Sequence, residues 1–228
     1  MPYKVNHVSE ADHDIVTAAV AAAEAHTSGE IVTVVAAKSN DYDDVALVWA
    51  SVIAFIAMSV IALFPDFYRT LYDRLTGGWG HDLTANQWLG TVIAVGVLKW
   101  IGMWLILLWR PLRMALTPRA IKAQRVRSRA IDLFKVGTEA KTLGRTGVLL
   151  YLSLKEHRAD IVADEAIAAK VTPEIWGNAM AALIERVRVG KPGEGMAEAV
   201  RQMGIVLAEH FPKGDENPNE LPDRLIEL

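Results

Sequence analysis

Two long runs of apolar residues divide the chain into three parts. Residues 46–64 (ALVWASVIAFIAMSVIALF) contain no charged side chain, and residues 89–109 (LGTVIAVGVLKWIGMWLILLW) contain one, Lys99. A helix rises about 1.5 Å per residue, so a run of either length just crosses a hydrocarbon layer of about 30 Å. A buried core helix is the other explanation of an apolar run. Because two such runs lie close together, we expect a transmembrane hairpin.

The residues that flank these runs predict the orientation of the hairpin. Residues 65–88, between the runs, carry two basic side chains, Arg69 and Arg74. Cytoplasmic flanks of membrane spans are enriched in Lys and Arg, so the segment after residue 109 is predicted to be cytoplasmic. With two spans, both termini are then cytoplasmic. The basic residues after the second run are Arg110, Arg113, Arg119, Lys122, Arg125, Arg127 and Arg129.

Before the first run, the pattern predicts one helix and one strand. Ser9 with Asp12 three residues later has the spacing of a capping box, and apolar residues then recur at helical spacing until Thr27. Residues 30–38 (EIVTVVAAK) are short, rich in β-branched side chains and nearly all apolar. Such a segment is typical of a strand that is covered on both faces.

After the second run, the pattern predicts a helix, a β-hairpin and two further helices. Thr117-Pro118 is typical of a helix start, and the periodicity predicts a basic amphipathic helix to about residue 143. GVLLYLSL and ADIVAD then form two strands around a polar turn, KEHR. Helices are predicted at 173–188 and 196–211, followed by a polar tail that is interrupted by prolines.

These elements predict one α/β domain that is interrupted by the hairpin. A single strand before the insert cannot form a sheet, and two strands after it form a marginal one. Together they make a small sheet of three or four strands that is sandwiched by helices. The predicted boundaries are 1–44 and 111–228 for the two parts of the domain and 45–110 for the transmembrane hairpin.

Composition narrows the classes of partner. The net charge is −3, so the chain lacks the basic character that would indicate a nucleic-acid partner. The absence of Cys excludes disulfides, thiol catalysis and Cys-ligated zinc. The expected partners are the lipid bilayer and either another membrane protein or a second copy of the chain. Lys99 is interpreted as facing the hairpin or such a partner, or as reaching towards the interface. The basic helix of residues 119–129 could also lie on anionic lipid.

One pair of carboxylates is a candidate metal site. Ligands of open α/β sheets bind beyond the carboxyl ends of the strands, where Asp41 follows the first strand and Asp164 follows the last. If these two ends are adjacent, Asp41 and Asp164 could share a hard cation, Ca²⁺ or Mg²⁺, since such ions prefer oxygen ligands. The alternative is a solvated turn at 41–44 and a helix cap at Asp164.

Other polar residues predict no catalytic set. Alternation along a strand places Ser153, Lys155 and His157 on one face, but a triad needs convergent side chains that a single strand does not supply. His157 and His210 are expected to be surface residues. Arg145 with Thr146 could bind an anion. Alternatively, Arg145 could interact favourably with the dipole at the end of a helix.

The order of several segments resembles the TPM domain family, which is also called the TPM phosphatase family. The segments are TSGEIVTVVAAKSNDY, LGRTGVLLYLSLKEHRADIVADEAIAAKVTPEIW, GMAEAVRQMGIVLAEHFP and ENPNELPDRLIEL. The inserted hairpin is similar to that of a bacterial membrane subfamily. The resemblance implies an α/β sandwich in a bacterial inner membrane and, from some plant members, a phosphatase activity. Two functions are therefore expected: a membrane-anchored interaction or assembly module, or a metal-dependent phosphatase at the membrane surface.

Overall fold

The computed structural model describes residues 8–75, 84–137, 146–172, 174–214 and 221–228. The chain divides into two compact units. The first unit comprises residues 1–40 and 119–228, and the second comprises residues 41–118. Strands and helices make up the first unit, whereas the described elements of the second unit are all helices. The mixed α/β character that the sequence predicts is confirmed.

The first unit contains a four-stranded sheet in the order β3-β2-β1-β4. Its strands are β1 (Glu30–Ala36), β2 (Gly147–Ser153), β3 (Arg158–Ala163) and β4 (Ile226–Glu227). Strand β1 is parallel to β2 and to β4, while β2 and β3 form an antiparallel hairpin. Val34 lies opposite Tyr151, so the predicted pairing of the strands near residues 34 and 150 is confirmed.

Helices cover both faces of this sheet. All seven residues of β1 and all seven of β2 are buried, which explains why both strands read as continuous apolar runs. One face packs on α1 (Glu10–Glu24), α8 (Gly177–Arg188) and α9 (Pro192–His210). The other face packs on α6 (Arg119–Gly137) through Val126, Ala130 and Phe134. The first unit is thus a sheet between two layers of helices.

Local signals in the sequence set some helix bounds and not others. Helix α1 begins with the predicted capping box: the Asp12 N–H donates to Ser9 Oγ at 3.2 Å, and the Ser9 N–H donates to Asp12 Oδ2 at 3.0 Å. The helix predicted to start at residue 173 begins instead at Gly177, after a turn. Pro173 itself and the stretch 138–143, predicted to continue α6, lie outside the described residues.

The C-terminal segment contributes a strand that the sequence pattern did not reveal. Strand β4 pairs with β1, with Ile226 opposite Val34. Leu228 extends this pairing, because its N–H donates to the Val35 carbonyl at 2.9 Å and its carbonyl accepts the Ala37 N–H at 3.2 Å. Two residues are too few for period-2 alternation to be visible, so the sequence predicts only a polar tail that is interrupted by prolines. The edge of β1 that faces away from β2 is therefore partly covered by the chain end.

Within its described residues, the second unit consists of helices. They are α2 (Asp43–Leu63), α3 (Pro65–Leu75), α4 (Ala85–Leu107) and α5 (Arg110–Leu116). Helices α2 and α4 cover most of the predicted apolar runs, but they begin a few residues before the runs and end at Leu63 and Leu107, just before the runs do. Helices α3 and α5 were not predicted as separate elements. The Arg113 side chain, which is buried, pairs with Asp43 and so connects α5 to the start of α2.

Helices α2 and α4 pack against each other as an antiparallel pair. Trp100 Nε1 donates to Ser51 Oγ at 3.2 Å, and Gly96 lies so close to Met58 that an added Cβ would be 2.6 Å from the Met58 Sδ. The buried Ala50 and Ala54 lie in the same stretch of α2. Small residues let transmembrane helices approach closely. Both helices are long and apolar enough to cross a membrane, and 28% and 6% of their most apolar windows are buried.

The packing of α1 on α9 predicts the effect of one added methyl group. A Cβ at Gly204 would lie 2.6 Å from the Cβ of Ala23, whereas a Cβ at Gly177 would have no neighbour within 4 Å. We expect Gly204→Ala to destabilise the protein by about 1–3 kcal/mol through overpacking, despite a gain of about 1 kcal/mol in helix propensity. Gly177→Ala is the control and should be neutral or slightly stabilising. Thermal unfolding in detergent measures both, and equal midpoints would contradict the close approach of the two helices.

Candidate functional site

A buried polar cluster lies where β1 and β2 end. Its members are Ser39, Tyr151, Ser153 and Glu156, and the last three are buried. Because β1 and β2 are parallel, their carboxyl ends meet at one edge of the sheet, with Ala36 opposite Ser153. The cluster thus joins the segment that follows β1 to the turn between β2 and β3.

Glu156 is the centre of this cluster. One carboxylate oxygen accepts the hydroxyl of Ser153, and the other accepts the Ser39 N–H at 2.9 Å. The Ser39 hydroxyl lies 3.0 Å from the Tyr151 hydroxyl. The backbone adds two bonds at the same place, from the Leu154 N–H to the Ala36 carbonyl and from the Lys155 N–H to the Ala37 carbonyl. Both oxygens of Glu156 therefore hold neighbouring segments together.

Lys122 on α6 interacts electrostatically with Glu156 of this cluster. Burial lowers the pKa of Lys122, Glu156 opposes that shift, and Arg158 and Arg119 add to it. Burial also raises the pKa of the Tyr151 phenol. Perturbed groups of this kind occur in active sites and in structural networks alike, so their geometry has to decide between the two.

The geometry favours a structural network over a catalytic one. Ser153 is fully buried, so no substrate reaches its hydroxyl, and that hydroxyl is engaged with Glu156. Lys155 and His157 are exposed in the turn that follows β2 and do not share a face with Ser153. His157 adopts a positive φ of 49° in that turn. The prediction that alternation places Ser153, Lys155 and His157 on one face is therefore wrong, because β2 ends at Ser153 and the other two residues lie in the turn.

A pair of buried carboxyl groups lies at the opposite edge of the sheet. Glu24 ends α1, and Glu30 begins β1. Glu24 Oε1 accepts the Ile31 N–H at 2.7 Å, and Glu30 Oε2 accepts the Leu221 N–H at 3.3 Å. Lys213 Nζ donates to the Glu24 carbonyl at 3.3 Å. These bonds connect α1, β1 and the C-terminal segment.

Glu24 has a strongly shifted pKa. Burial raises the pKa of this carboxyl from 4.5 to about 8; the Ile31 N–H opposes the shift, Glu30 and Asp223 add to it, and Lys213 opposes it. A buried carboxyl beside other carboxyls is disfavoured in its charged form. At neutral pH the Glu24 side chain is therefore mostly protonated, and it still accepts the Ile31 N–H.

The adjacency that the Asp41 and Asp164 prediction required is absent from the described sheet. Strand β3 is antiparallel to β2, so its carboxyl end lies beside Val148, at the edge opposite to the one where the chain leaves β1 towards Asp41. The two edges are about 20 Å apart at about 3.3 Å per residue. Within the described ranges, no group of three or more His, Asp or Glu side chains is placed to hold a metal ion.

Asp164 has a different role from either of the two that the sequence suggested. It occupies the position before α7 (Glu165–Ala168), but its side chain does not cap that helix. Instead its Oδ2 accepts the Gly147 N–H at 2.9 Å, and its own N–H donates to the Gly147 carbonyl at 2.9 Å. Asp164 thus extends the β2–β3 ladder by one residue. Asp164 comes close to Gly147 only because β2 and β3 form an antiparallel hairpin. The spacing of acidic residues along the sequence does not reveal this contact.

Among the described residues, the other candidates from the sequence make contacts that hold parts of the fold together. The Thr146 hydroxyl donates to the Ser28 carbonyl at 3.0 Å, and Arg145 lies outside the described residues. His210 ends α9, and its carbonyl accepts Lys170 Nζ at 3.4 Å. On α6, Arg127 pairs with Asp160 at 2.6 Å and also donates to the Ile161 carbonyl. At least one residue of the basic helix therefore holds α6 to the sheet.

Sequence reasoning missed Glu156, Glu24 and Glu30. One signal was present for Glu156, because Ser153 precedes it by three residues and that spacing lets a serine hydroxyl meet a carboxylate. A second signal was Glu30, an acid at the head of an otherwise apolar strand. Such a residue must be buried with a partner, since an unpaired buried carboxylate is costly. Glu24 gave no signal, because a glutamate at a helix end is normally exposed.

Comparison with known proteins identifies a likeness in fold. No protein-family model and no curated protein matches the chain. Among solved structures, the chain is similar to the BA42 protein from the psychrophilic bacterium Bizionia argentinensis sp. nov., with a TM-score of 0.55 and 15% sequence identity over 99% of each chain. At this identity the likeness concerns the fold alone.

The cluster around Glu156 predicts the effect of removing its acceptor. In Glu156→Ala, the Ser39 N–H and the Ser153 hydroxyl lose their partner in a buried place, so we expect a loss of about 2–4 kcal/mol in the free energy of unfolding. The exposed Glu185 on α8 provides the matched control, Glu185→Ala, with an expected change below about 0.5 kcal/mol. Denaturant unfolding in detergent compares the two. Equal stability would show that Glu156 does not hold these segments.

Glu24 predicts a dependence of stability on pH. Its pKa is 4.5 in the unfolded chain and about 8 in the fold, so between these values the folded state holds one more proton. The contribution of Glu24 to the free energy of unfolding is therefore fully present below about pH 4.5. It is lost as the pH rises through about 8, by at most about 1.4 kcal/mol per pH unit. Glu24→Gln should flatten this fall and stabilise the protein at pH 8 relative to wild type. Unchanged pH profiles of the unfolding midpoint would contradict the shift.

Proposed function

We propose that this protein is a membrane-anchored interaction or assembly module of a bacterial inner membrane, with its α/β domain and both termini in the cytoplasm. The observation that carries this proposal is the packed pair α2 and α4, which leaves most of its apolar surface exposed. Phe55 and Leu98, for example, are 68% and 69% exposed. Exposed apolar surface costs about 25 cal/mol per Å² in water, and lipid removes that cost.

The burial of these helices argues against a soluble core. A core helix of a soluble protein is buried along most of its length, whereas only 28% of the apolar window of α2 and 6% of that of α4 is buried. The polar bonds of the pair lie on its inner side, as with Trp100 and Ser51. A bilayer is the environment that suits an apolar exterior of this length.

The proposed orientation is supported by the distribution of basic residues. Seven Arg and Lys residues follow the second apolar run up to residue 129, whereas residues 65–88 contain Arg69 and Arg74. This bias supports a cytoplasmic location for α5 and for the α/β domain, which resumes with α6. Because α2 and α4 form a pair of crossings, residues 8–40 are on the same side.

An interaction role accounts for the described polar residues better than catalysis does. The buried carboxyl groups of Glu24, Glu30 and Glu156 each accept a backbone N–H, so they stabilise the fold. The resemblance of the sequence to the TPM domain family supports the α/β part of the proposal. The alternative, a metal-dependent phosphatase, depended on Asp41 and Asp164 as ligands of Ca²⁺ or Mg²⁺, and the opposite positions of the two strand ends leave it without that support.

Single cysteines test the anchor and the orientation, because the chain contains no Cys of its own. Asn86→Cys lies in the first turn of α4 and Ser128→Cys on α6, and both positions are exposed. In intact spheroplasts, a membrane-impermeant maleimide should label Asn86→Cys at once and Ser128→Cys only after lysis. Both variants should stay in the membrane pellet after carbonate washing.

Two outcomes would contradict the proposal. Release of the protein by carbonate would show that α2 and α4 do not span the bilayer. Labelling of Ser128→Cys in intact spheroplasts would reverse the orientation.

A further inference from the structure

Lys99 lies at the centre of the apolar run on α4. It is midway between Leu89 and Trp109, about 15 Å from either end at about 1.5 Å per residue. An extended lysine side chain reaches about 6 Å, so its ammonium group remains well inside a hydrocarbon layer of about 30 Å. Lys99 is therefore too deep to reach either interface without moving the helix.

The structure leaves this side chain exposed. Lys99 is exposed on α4, and within the described part of the chain it makes no hydrogen bond or ion pair. The residues of α4 that meet α2 include Gly96 and Trp100, and they lie to one side of it. A lysine at the centre of a spanning helix costs free energy on insertion. A partner that neutralises this charge recovers that free energy.

Lys99 belongs to a stripe of residues along one side of α4. Val95, Lys99, Gly102 and Ile106 recur at spacings of four, three and four, so they lie along one side of α4. A Cβ built at Gly102 would meet nothing within 4 Å, and Ile106 is 55% exposed. Gly102 therefore forms a shallow notch beside Lys99, and a notch of this kind lets a second helix approach closely.

We propose that this face of α4 binds a transmembrane helix of a different protein that carries an Asp or Glu at mid-membrane depth. The inference rests on the membrane anchoring proposed above and names the partner that such a module would hold. The Lys99 ammonium group pairs with the carboxylate, and the partner backbone lies against Gly102. In a medium of low dielectric constant this ion pair is strong, and it forms only if the carboxylate lies at the same depth as Lys99.

A second copy of this chain does not meet that requirement. Residues 46–64 and 89–109 contain no Asp or Glu, so no copy offers a carboxylate at the depth of Lys99. A symmetric pair in the membrane would instead bring two Lys99 side chains to the same depth. Asp43 lies at the start of α2, near the end of the span, and already pairs with Arg113.

Photo-crosslinking of the full-length protein in the membranes of its own cell tests the inference. A photoreactive residue replaces Ile106, on the Lys99 side, or Val97, on the opposite side of α4. These positions are 55% and 53% exposed, so they are matched in access. Each is combined with wild-type Lys99, with Lys99→Leu and with Lys99→Arg, and the crosslinked peptides are identified by mass spectrometry.

The expected result is an adduct from position 106 whose crosslinked peptide is an apolar span of another protein with one carboxylate near its middle. Lys99→Leu should reduce this adduct about tenfold or more, a change of about 1.4 kcal/mol. Lys99→Arg should retain it, and position 97 should not form it.

Several results would overturn the inference. These are adducts with a second copy, adducts with lipid alone, a partner span without a carboxylate, or an adduct that persists in Lys99→Leu. If the protein still resists carbonate in those cases, the membrane anchor stands and the inference about its partner fails. If carbonate releases the protein, the anchor itself fails.

Discussion

The hydrogen bonding of β1 across the insert is the constraint on which the rest of this structure depends. All seven residues of β1 are buried, and buried backbone N–H and C=O groups need partners. The Ile31 N–H is accepted by Glu24, but the strands that pair with β1 are β2 on one side and β4 on the other, and both come from the chain beyond residue 118. Residues 8–40 therefore cannot complete a fold by themselves.

Buried polar groups fix the two edges of this sheet. Glu156 holds Ser39 at the edge where the chain leaves β1, and Glu30 holds Leu221 at the opposite edge. Each bond joins segments that are far apart in sequence. Because an unmet buried donor costs about 1–3 kcal/mol, these carboxyl groups contribute to the specificity of the assembly as well as to its stability. Their placement explains why strongly perturbed groups are present without a catalytic geometry.

Long and locally encoded features were predictable from the sequence. The capping box of Ser9 and Asp12, the buried strands and the two apolar helices all follow from spacing or composition within one segment. Features that depend on distant segments were not predictable. Strand β4 exists because β1 offers it an edge, and Asp164 meets Gly147 because β3 reverses direction after β2. The adjacent strand ends on which the Asp41 and Asp164 prediction depended were not predictable for the same reason, since the direction of β3 decides at which edge Asp164 lies.

Amide hydrogen exchange of the full-length protein in detergent tests the pairing of β1 with β2 most directly. The account predicts that amides of residues 31–36 and 148–153 are both strongly protected and exchange with the same free energy of opening, because neither strand can be exposed without the other. Rapid exchange of residues 31–36 beside a protected β2 would contradict it. In that case the two parts of the chain would not share one sheet.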